Sequence, residues 1–268
     1  MVILTKVDSR LQTPMYFFLR HLALTDLGYF TAVGPKMWIN FVVGQNTISY
    51  YICATQLAFF IEFIISELFI LAAMSYDRYV AICHPLLHTV IMSQRVCGVL
   101  VAIPYLYSTF VSLLVTVNIF NSSFCGYNVI SHFYCDSLPT LPLLCSNTHE
   151  IALIILASSG FNLIFSLLTA PVSCLLILAA IVRVSSAGGR TRLFLPVAPT
   201  WQWPPCAMGL WCLCLCSQSQ HSFDTDRVAS IFYTLVIPML NPVIYSLRNK
   251  DIKYALQRTW KNLCNIFP

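Results

Sequence analysis

Apolar residues fall along this chain in runs too long for a soluble core helix, separated by short polar stretches. From Cys53 to Met74 the sequence reads CATQLAFFIEFIISELFILAAM, enough to cross a hydrocarbon layer that takes about 20 helical residues. The run ends abruptly in Asp77-Arg78-Tyr79, inside the block MSYDRYVAICHPL (Met74 to Leu86). An acid beside a base at a membrane boundary can pair while the apolar stem stays in lipid, and opening the pair frees a cation toward a cytoplasmic partner. The same pattern predicts spans at about 15–43, 52–80, 96–119, 150–184 and 227–247. Beyond the last, Ile252, Ala255, Leu256, Trp260 and Leu263 alternate with Lys253, Arg258 and Lys261. That is the pattern of an amphipathic helix, at about 250–263, lying on the inner membrane surface.

Composition strengthens this picture. The 268 residues are 58% hydrophobic and 9% charged, against about 25% charged in an ordinary soluble domain. The expected fold is therefore all-α: a polytopic membrane helical bundle forming a single transmembrane domain over residues 1–268. No short apolar segment with a small-residue cleavage site opens the chain, so no signal peptide is expected. With the Asp-Arg-Tyr end taken as cytoplasmic, that side holds Lys6, Arg10, Arg78, Arg95, Arg183, Arg190, Arg192, Arg248, Lys250, Lys253, Arg258 and Lys261, 12 of the 15 Lys and Arg. Lys36 and Arg227 fall outside, and Arg20 lies near the inner end of the first span. The positive-inside rule fixes this orientation and accounts for the net charge of +5 without nucleic-acid binding.

Three acids fall in the interior of predicted spans, away from their ends: Asp26, Glu62 and Glu67. An intramembrane acid is costly enough to suggest a function. Asp26 and Glu67 sit at comparable depths if their helices are antiparallel neighbours. They could share a cation such as sodium, or a proton, or be two neutral carboxylic acids bonded to nearby hydroxyls. In the outer half of the fourth span, Ser158, Ser159 and Asn162 put polar groups on neighbouring helical faces. Of the 12 cysteines, Cys53, Cys125, Cys135 and Cys145 fall in segments this topology places outside, where disulfides persist. Four cysteines permit three connectivities. Asn121-Ser122-Ser123 is a glycosylation sequon in the longest external segment. Cys206, Cys212, Cys214, Cys216 and His221 have a spacing that fits no standard zinc site.

Several stretches together resemble the olfactory receptors, within the rhodopsin-like G-protein-coupled receptors. They are LQTPMYFFL (Leu11 to Leu19), MSYDRYVAICHPL, SHFYCD (Ser131 to Asp136), SFDTDRVASIFYTLVIPMLNPVIYSLRN (Ser222 to Asn249) and the three-cysteine external loop. The resemblance implies a seven-helix receptor architecture in which Asp77, Arg78 and Tyr79 form the element that meets the G protein. It implies a disulfide from Cys53 to Cys135, leaving Cys125 with Cys145. It makes Asp26 and Glu67 an interior acidic pair, and gives Phe60, Ile61, Ile64 and Ile65 an odorant-contacting face with Ser158, Ser159 and Asn162 opposite. A pocket of that kind, apolar with a few hydroxyls or amides, suits small volatile ligands.

The chain departs from the family pattern in two places. The family has a span before LQTPMYFFL where only Met1 to Thr13 stand here, so the expectation is a bundle truncated to about five or six spans. Leu193 to Cys216 stands where the family has its sixth span, and Pro196, Pro199, Pro204 and Pro205 oppose a helix at about 3 kcal/mol each. A pair of compensating frame shifts bracketing Leu193 and Ser217 would account for this segment. The expected function is thus an odorant receptor of the plasma membrane, coupling a volatile ligand to a heterotrimeric G protein, with the lipid bilayer as its solvent. The alternatives are a non-signalling product of a decayed receptor gene, retained in the endoplasmic reticulum, and a transporter resting on Asp26, Glu62 and Glu67. Enzymatic activity is not expected, because the sequence offers no nucleophile and base pairing.

Overall fold

The computed structural model describes residues 13–43, 47–125, 134–145 and 148–186. The expected features at 193–216, 227–247 and 250–263, with the cysteines from Cys206 to Cys216, lie outside the described residues. The architecture is all-α. Its elements are α1 (Pro14–Val43), α2 (Tyr50–Cys83), the short α3 (His88–Ile91), α4 (Gln94–Phe120), the single turn α5 (Ser137–Thr140) running into a tight turn at Leu141–Leu143, and α6 (Thr148–Ser186).

Local chemistry sets the helix ends. Pro14 opens α1, where its missing N–H costs no hydrogen bond and its fixed φ suits the first turn. The Thr13 carbonyl accepts from both Tyr16 and Phe17 at 3.1 Å. Ser49 and Ser93 precede α2 and α4 in extended conformation. At the other end of α2, His84 leaves the helical region just before Pro85, whose ring disfavours a helical predecessor. The 34 residues of α2 give a rod of about 51 Å, longer than a hydrocarbon core of about 30 Å, so its two ends stand outside the lipid interior. By length and composition α2, α4 and Thr148–Phe165 of α6 can each cross a membrane. Helix α1 is 30 residues long but carries Arg20, Asp26 and Lys36.

Helix α2 is the centre of the described bundle, touching α1, α4 and α6. Its most apolar stretch is 61% buried, against 33% for α4 and 17% for Thr148–Phe165. Buried apolar side chains form two clusters at different depths. The inner one joins Phe18 and Leu22 of α1, Ile70, Met74 and Val80 of α2, Met92, and Cys97 and Val101 of α4. The outer one joins Tyr29 and Val33 of α1, Leu57, Phe60, Ile61 and Ile65 of α2, Val111, Val115 and Ile119 of α4, Tyr134, and Ile151 and Ile155 of α6. Between them on α1, α2 and α4 lies a polar step: Thr25 and Asp26 on α1, Ser66 and Glu67 on α2, Ser108 on α4, all buried.

Lipid tails are as apolar as leucine, so these helices associate through close packing and hydrogen bonds. The α2–α4 seam carries three such bonds. The Ser66 and Ser108 hydroxyls lie 2.7 Å apart, Thr109 Oγ1 donates to Glu62 Oε1 at 3.1 Å, and Ser112 Oγ donates to the Ala58 carbonyl at 2.5 Å. The α1–α2 seam relies on a small residue instead. A Cβ placed on Gly28 would stand 2.4 Å from the tip of the Phe63 ring, which itself stacks on Phe59.

Gly28→Ala is therefore expected to overpack this seam at a cost of about 1–3 kcal/mol, read as a lowered melting temperature of the full chain in detergent. Adding Phe63→Leu should restore most of that loss. Equal melting temperatures for Gly28→Ala and the parent would remove the close-approach account.

Candidate functional site

The residues singled out from the sequence fall at three depths along α2. At the outer level, Phe60, Ile61 and Ile65 are buried and Ile64 is half-buried, all packed into the outer cluster. The Phe60 ring is held between two tyrosines, with centroids 5.5 Å from Tyr29 and 5.2 Å from Tyr134. Tyr134 belongs to the external segment, so that segment reaches down onto the face of α2. The three polar residues of α6 differ in what they can offer a ligand. Ser158 donates to its own helix at Ile154 (2.8 Å) and Ile155 (3.1 Å), as mid-helix serines commonly do. Ser159 is exposed. Asn162 is buried, and among the described residues its Oδ1 finds no hydrogen-bond donor. A buried amide oxygen without a donor carries a desolvation cost of about 1–3 kcal/mol that a suitable ligand group would relieve. One helical turn inward, Phe69 of α2 stacks on Phe165 at 4.4 Å and meets Tyr107 of α4 at 5.3 Å.

Above this level the external segment is fastened by two disulfides. Cys53 joins Cys135 and Cys125 joins Cys145, with Cα separations of 5.5 and 5.4 Å. The second pair is flanked by a short antiparallel contact of Phe124 with Leu144. There the Cys125 N–H donates to Leu143 at 2.8 Å and the Cys145 N–H to Ser123 at 2.9 Å. Asn121 ends α4 in an exposed position. Sequence reasoning passed over Gln56, which is buried one turn below Cys53. Its amide nitrogen donates to the Ala32 carbonyl at 3.3 Å, and its Oε1 accepts the Cys135 N–H at 3.1 Å. One side chain thus ties α1, α2 and the external segment together. The available signal was an amide three residues after an external cysteine in an otherwise apolar run.

At mid-depth the structure brings Asp26 and Glu67 close enough to interact electrostatically. Both are buried, and neither carboxylate oxygen of Asp26 has a hydrogen-bond partner among the described residues. Hard cations take oxygen donors of this kind.

At the inner end Asp77 is buried, Arg78 and Tyr79 are half-buried. Asp77 reaches forward to His88, whose Nε2 lies 2.9 Å from its Oδ1. The Tyr79 ring meets His84 edge-on at 6.5 Å. His88 is the second residue the sequence reading left unmarked; only the fold shows that the turn after Pro85 carries it back beneath α2.

Comparison with known proteins adds an independent line. A family profile described as olfactory receptor matches residues 1–263. Human olfactory receptor 8K3 is 70% identical over 285 aligned residues, covering 100% of this chain and 86% of its own. Human olfactory receptor 8K5 is 58% identical over 263 residues, covering 98% and 86%. Mouse olfactory receptor 8U3 is 51% identical over 259 residues, covering 96% and 81%.

The two disulfides close loops of 82 and 20 residues, worth about 4.5 and about 3.3 kcal/mol by loop-closure entropy. Cys135→Ser is expected to lower the melting temperature more than Cys125→Ser. Gln56→Ala should cost about 1–3 kcal/mol through the buried Cys135 N–H it leaves unpaired. Melting curves in detergent, with and without reductant, check the order.

Proposed function

The chain belongs to the olfactory receptor family, and from that premise we propose how this odorant-type G-protein-coupled receptor works residue by residue. It is a multi-pass membrane protein, and its proposed working place is the plasma membrane. The proposed ligand is a small volatile molecule bound in the outer half of the bundle, against Phe60, Ile61, Ile64 and Ile65 of α2, with Asn162 of α6 supplying a polar contact. The proposed partner is a heterotrimeric G protein meeting Asp77, Arg78 and Tyr79. The observation that best supports this reading is the single rod of α2. From Ile61 to Arg78 is about 25 Å along one uninterrupted helix, in contact with every other long helix described.

A ligand acts on such a molecule only through unequal affinity for two arrangements of the helices. Its contacts at the outer cluster favour one packing of α1, α4 and α6 around α2, and the inner cluster then repacks, altering what surrounds Arg78. Asp26 and Glu67 lie between the two levels, and their carboxylates suit a sodium ion. Such an ion would offset two buried negative charges and hold α1 against α2 in one of the packings. Asn121 is the proposed glycan acceptor.

Surface labelling combined with cyclic-nucleotide responses to an odorant panel tests the reading. The parent chain should reach the surface and respond. Asn162→Ala should raise the half-maximal odorant concentration about tenfold, the worth of one buried hydrogen bond. Arg78→Ala should abolish the response while leaving surface delivery intact. A chain that is delivered and silent across a broad panel would favour the decayed-receptor alternative.

A further inference from the structure

Of the three interior acids, Asp26, Glu62 and Glu67, the receptor reading leaves Glu62 without a role. It sits near the middle of the apolar run from Cys53 to Met74, where an ionisable group is costly enough to suggest a function. Asp26 and Glu67 are buried inside the bundle, whereas Glu62 is half-buried. Helical spacing puts Phe59, Glu62 and Phe63 on one face of α2. Phe59 is exposed and Phe63 half-buried, so this face looks outward.

The face lies between α1 and α4. On one side Gly28 of α1 meets the tip of the Phe63 ring. On the other, Thr109 of α4 donates to Glu62 Oε1 at 3.1 Å. Farther inward the gap between the flanking helices closes, where the His21 and Tyr105 rings meet with centroids 6.0 Å apart. The result is a notch open to lipid and floored by α2. Leu24 and Leu27 are exposed on its α1 rim, Leu106 and Phe110 on its α4 rim. On the floor the Phe59 and Phe63 rings lie nearly parallel, with centroids 5.8 Å apart and planes 13° from each other. Among the described residues Glu62 Oε2 accepts no hydrogen bond.

We propose that this notch is a second ligand site, entered from the lipid, for a small lipophilic amine. Charge complementarity selects the class. An acid with one open oxygen beside two aromatic rings offers an ammonium group both a carboxyl partner and attractive ring faces. An amine crosses hydrocarbon as the neutral base. A single proton shared between its nitrogen and Oε2 then completes a charge-assisted bond, roughly twice as strong as a neutral one. An alcohol or sterol hydroxyl reaching the same oxygen gains only the neutral bond and nothing from the rings. Depth selects the size: Glu62 lies about 18 Å along α2 from its start at Tyr50, so a compact amine fits where a long-chain one stays with the headgroups. Glu62 is one turn from Ser66, whose hydroxyl meets that of Ser108 at 2.7 Å. An occupant there would favour one packing of α2 against α4. The site requires only a lipid-embedded bundle, and stands apart from the odorant and G-protein reading.

Photolabelling of the full chain in lipid nanodiscs tests it. The probe is N,N-dimethylcyclohexylamine carrying a diazirine on its ring, with adducts located by mass spectrometry. Adducts should concentrate on Phe59 to Phe63 and on Leu106 to Phe110. Unmodified N,N-dimethylcyclohexylamine should displace the probe at about a tenfold lower concentration than isopropylcyclohexane, which has the same shape with carbon in place of nitrogen. Glu62→Gln keeps an oxygen for Thr109 but loses the charge, and should reduce the adducts about tenfold. Glu150→Gln, at the outer end of α6, should leave them unchanged. The two competitors are compared on the parent chain, so a variant that misfolds does not decide the result. Equal competition by the hydrocarbon, adducts spread evenly over the lipid-facing residues of α1, α4 and α6, or undiminished labelling of folded Glu62→Gln overturns the site.

Discussion

A helix surrounded by lipid gains nothing from burying leucine against leucine, and that constraint shapes how α2 is held. Its neighbours stay because particular groups meet. The absence of a side chain at Gly28 admits Phe63, Ser66 meets Ser108, Thr109 meets Glu62, and Ser112 reaches the Ala58 carbonyl. Interhelical hydrogen bonds in membranes average about 0.6 kcal/mol, so no one of these holds the bundle. Their sum, with two tethers at the ends of α2, does.

The buried polar step divides the bundle into two apolar clusters that have α1, α2 and α4 in common yet share no buried residue. A continuous apolar core would resist any relative movement of its helices, because close-packed interiors have few alternative arrangements. A step of hydroxyls and carboxyls is different. Its bonds can be exchanged among Ser66, Ser108, Asp26 and Glu67, or with water or a cation, without opening a void. The two clusters can then hold different packings above and below it, which is what a two-state transmembrane element requires.

The all-α fold was legible because apolar length in a membrane is nearly its own explanation: a run such as Cys53 to Met74 has only the helix to satisfy its backbone. The family resemblance was legible from motifs, above all MSYDRYVAICHPL. What the sequence concealed were contacts between residues distant in the chain. Gln56 looked like an incidental amide, since nothing local says that it will receive the N–H of Cys135, 79 residues away. His88 looked like a loop residue because the return of the chain beneath α2 depends on the turn after Pro85 and on Met92 finding the inner cluster. Ser158, Ser159 and Asn162 read alike in sequence, and only their rotation about α6 sets the buried Asn162 apart from the exposed Ser159. Periodicity gives a helix its faces but not the neighbour each face will meet.

The two tethers of α2 differ in kind, and the difference decides where movement can occur. Outside, Cys53 is covalently bound to Cys135, with Gln56 and Tyr134 reinforcing the same junction. A disulfide does not open on the time scale of a helix shift, since its rearrangement takes minutes to hours. Inside, Asp77 is held to His88 by a non-covalent contact of 2.9 Å. Helices packed about a rod that is fixed at one end and reversibly held at the other will swing at the reversible end. The covalent chemistry of the external segment is, on this argument, as necessary to motion at the inner face as any residue located there.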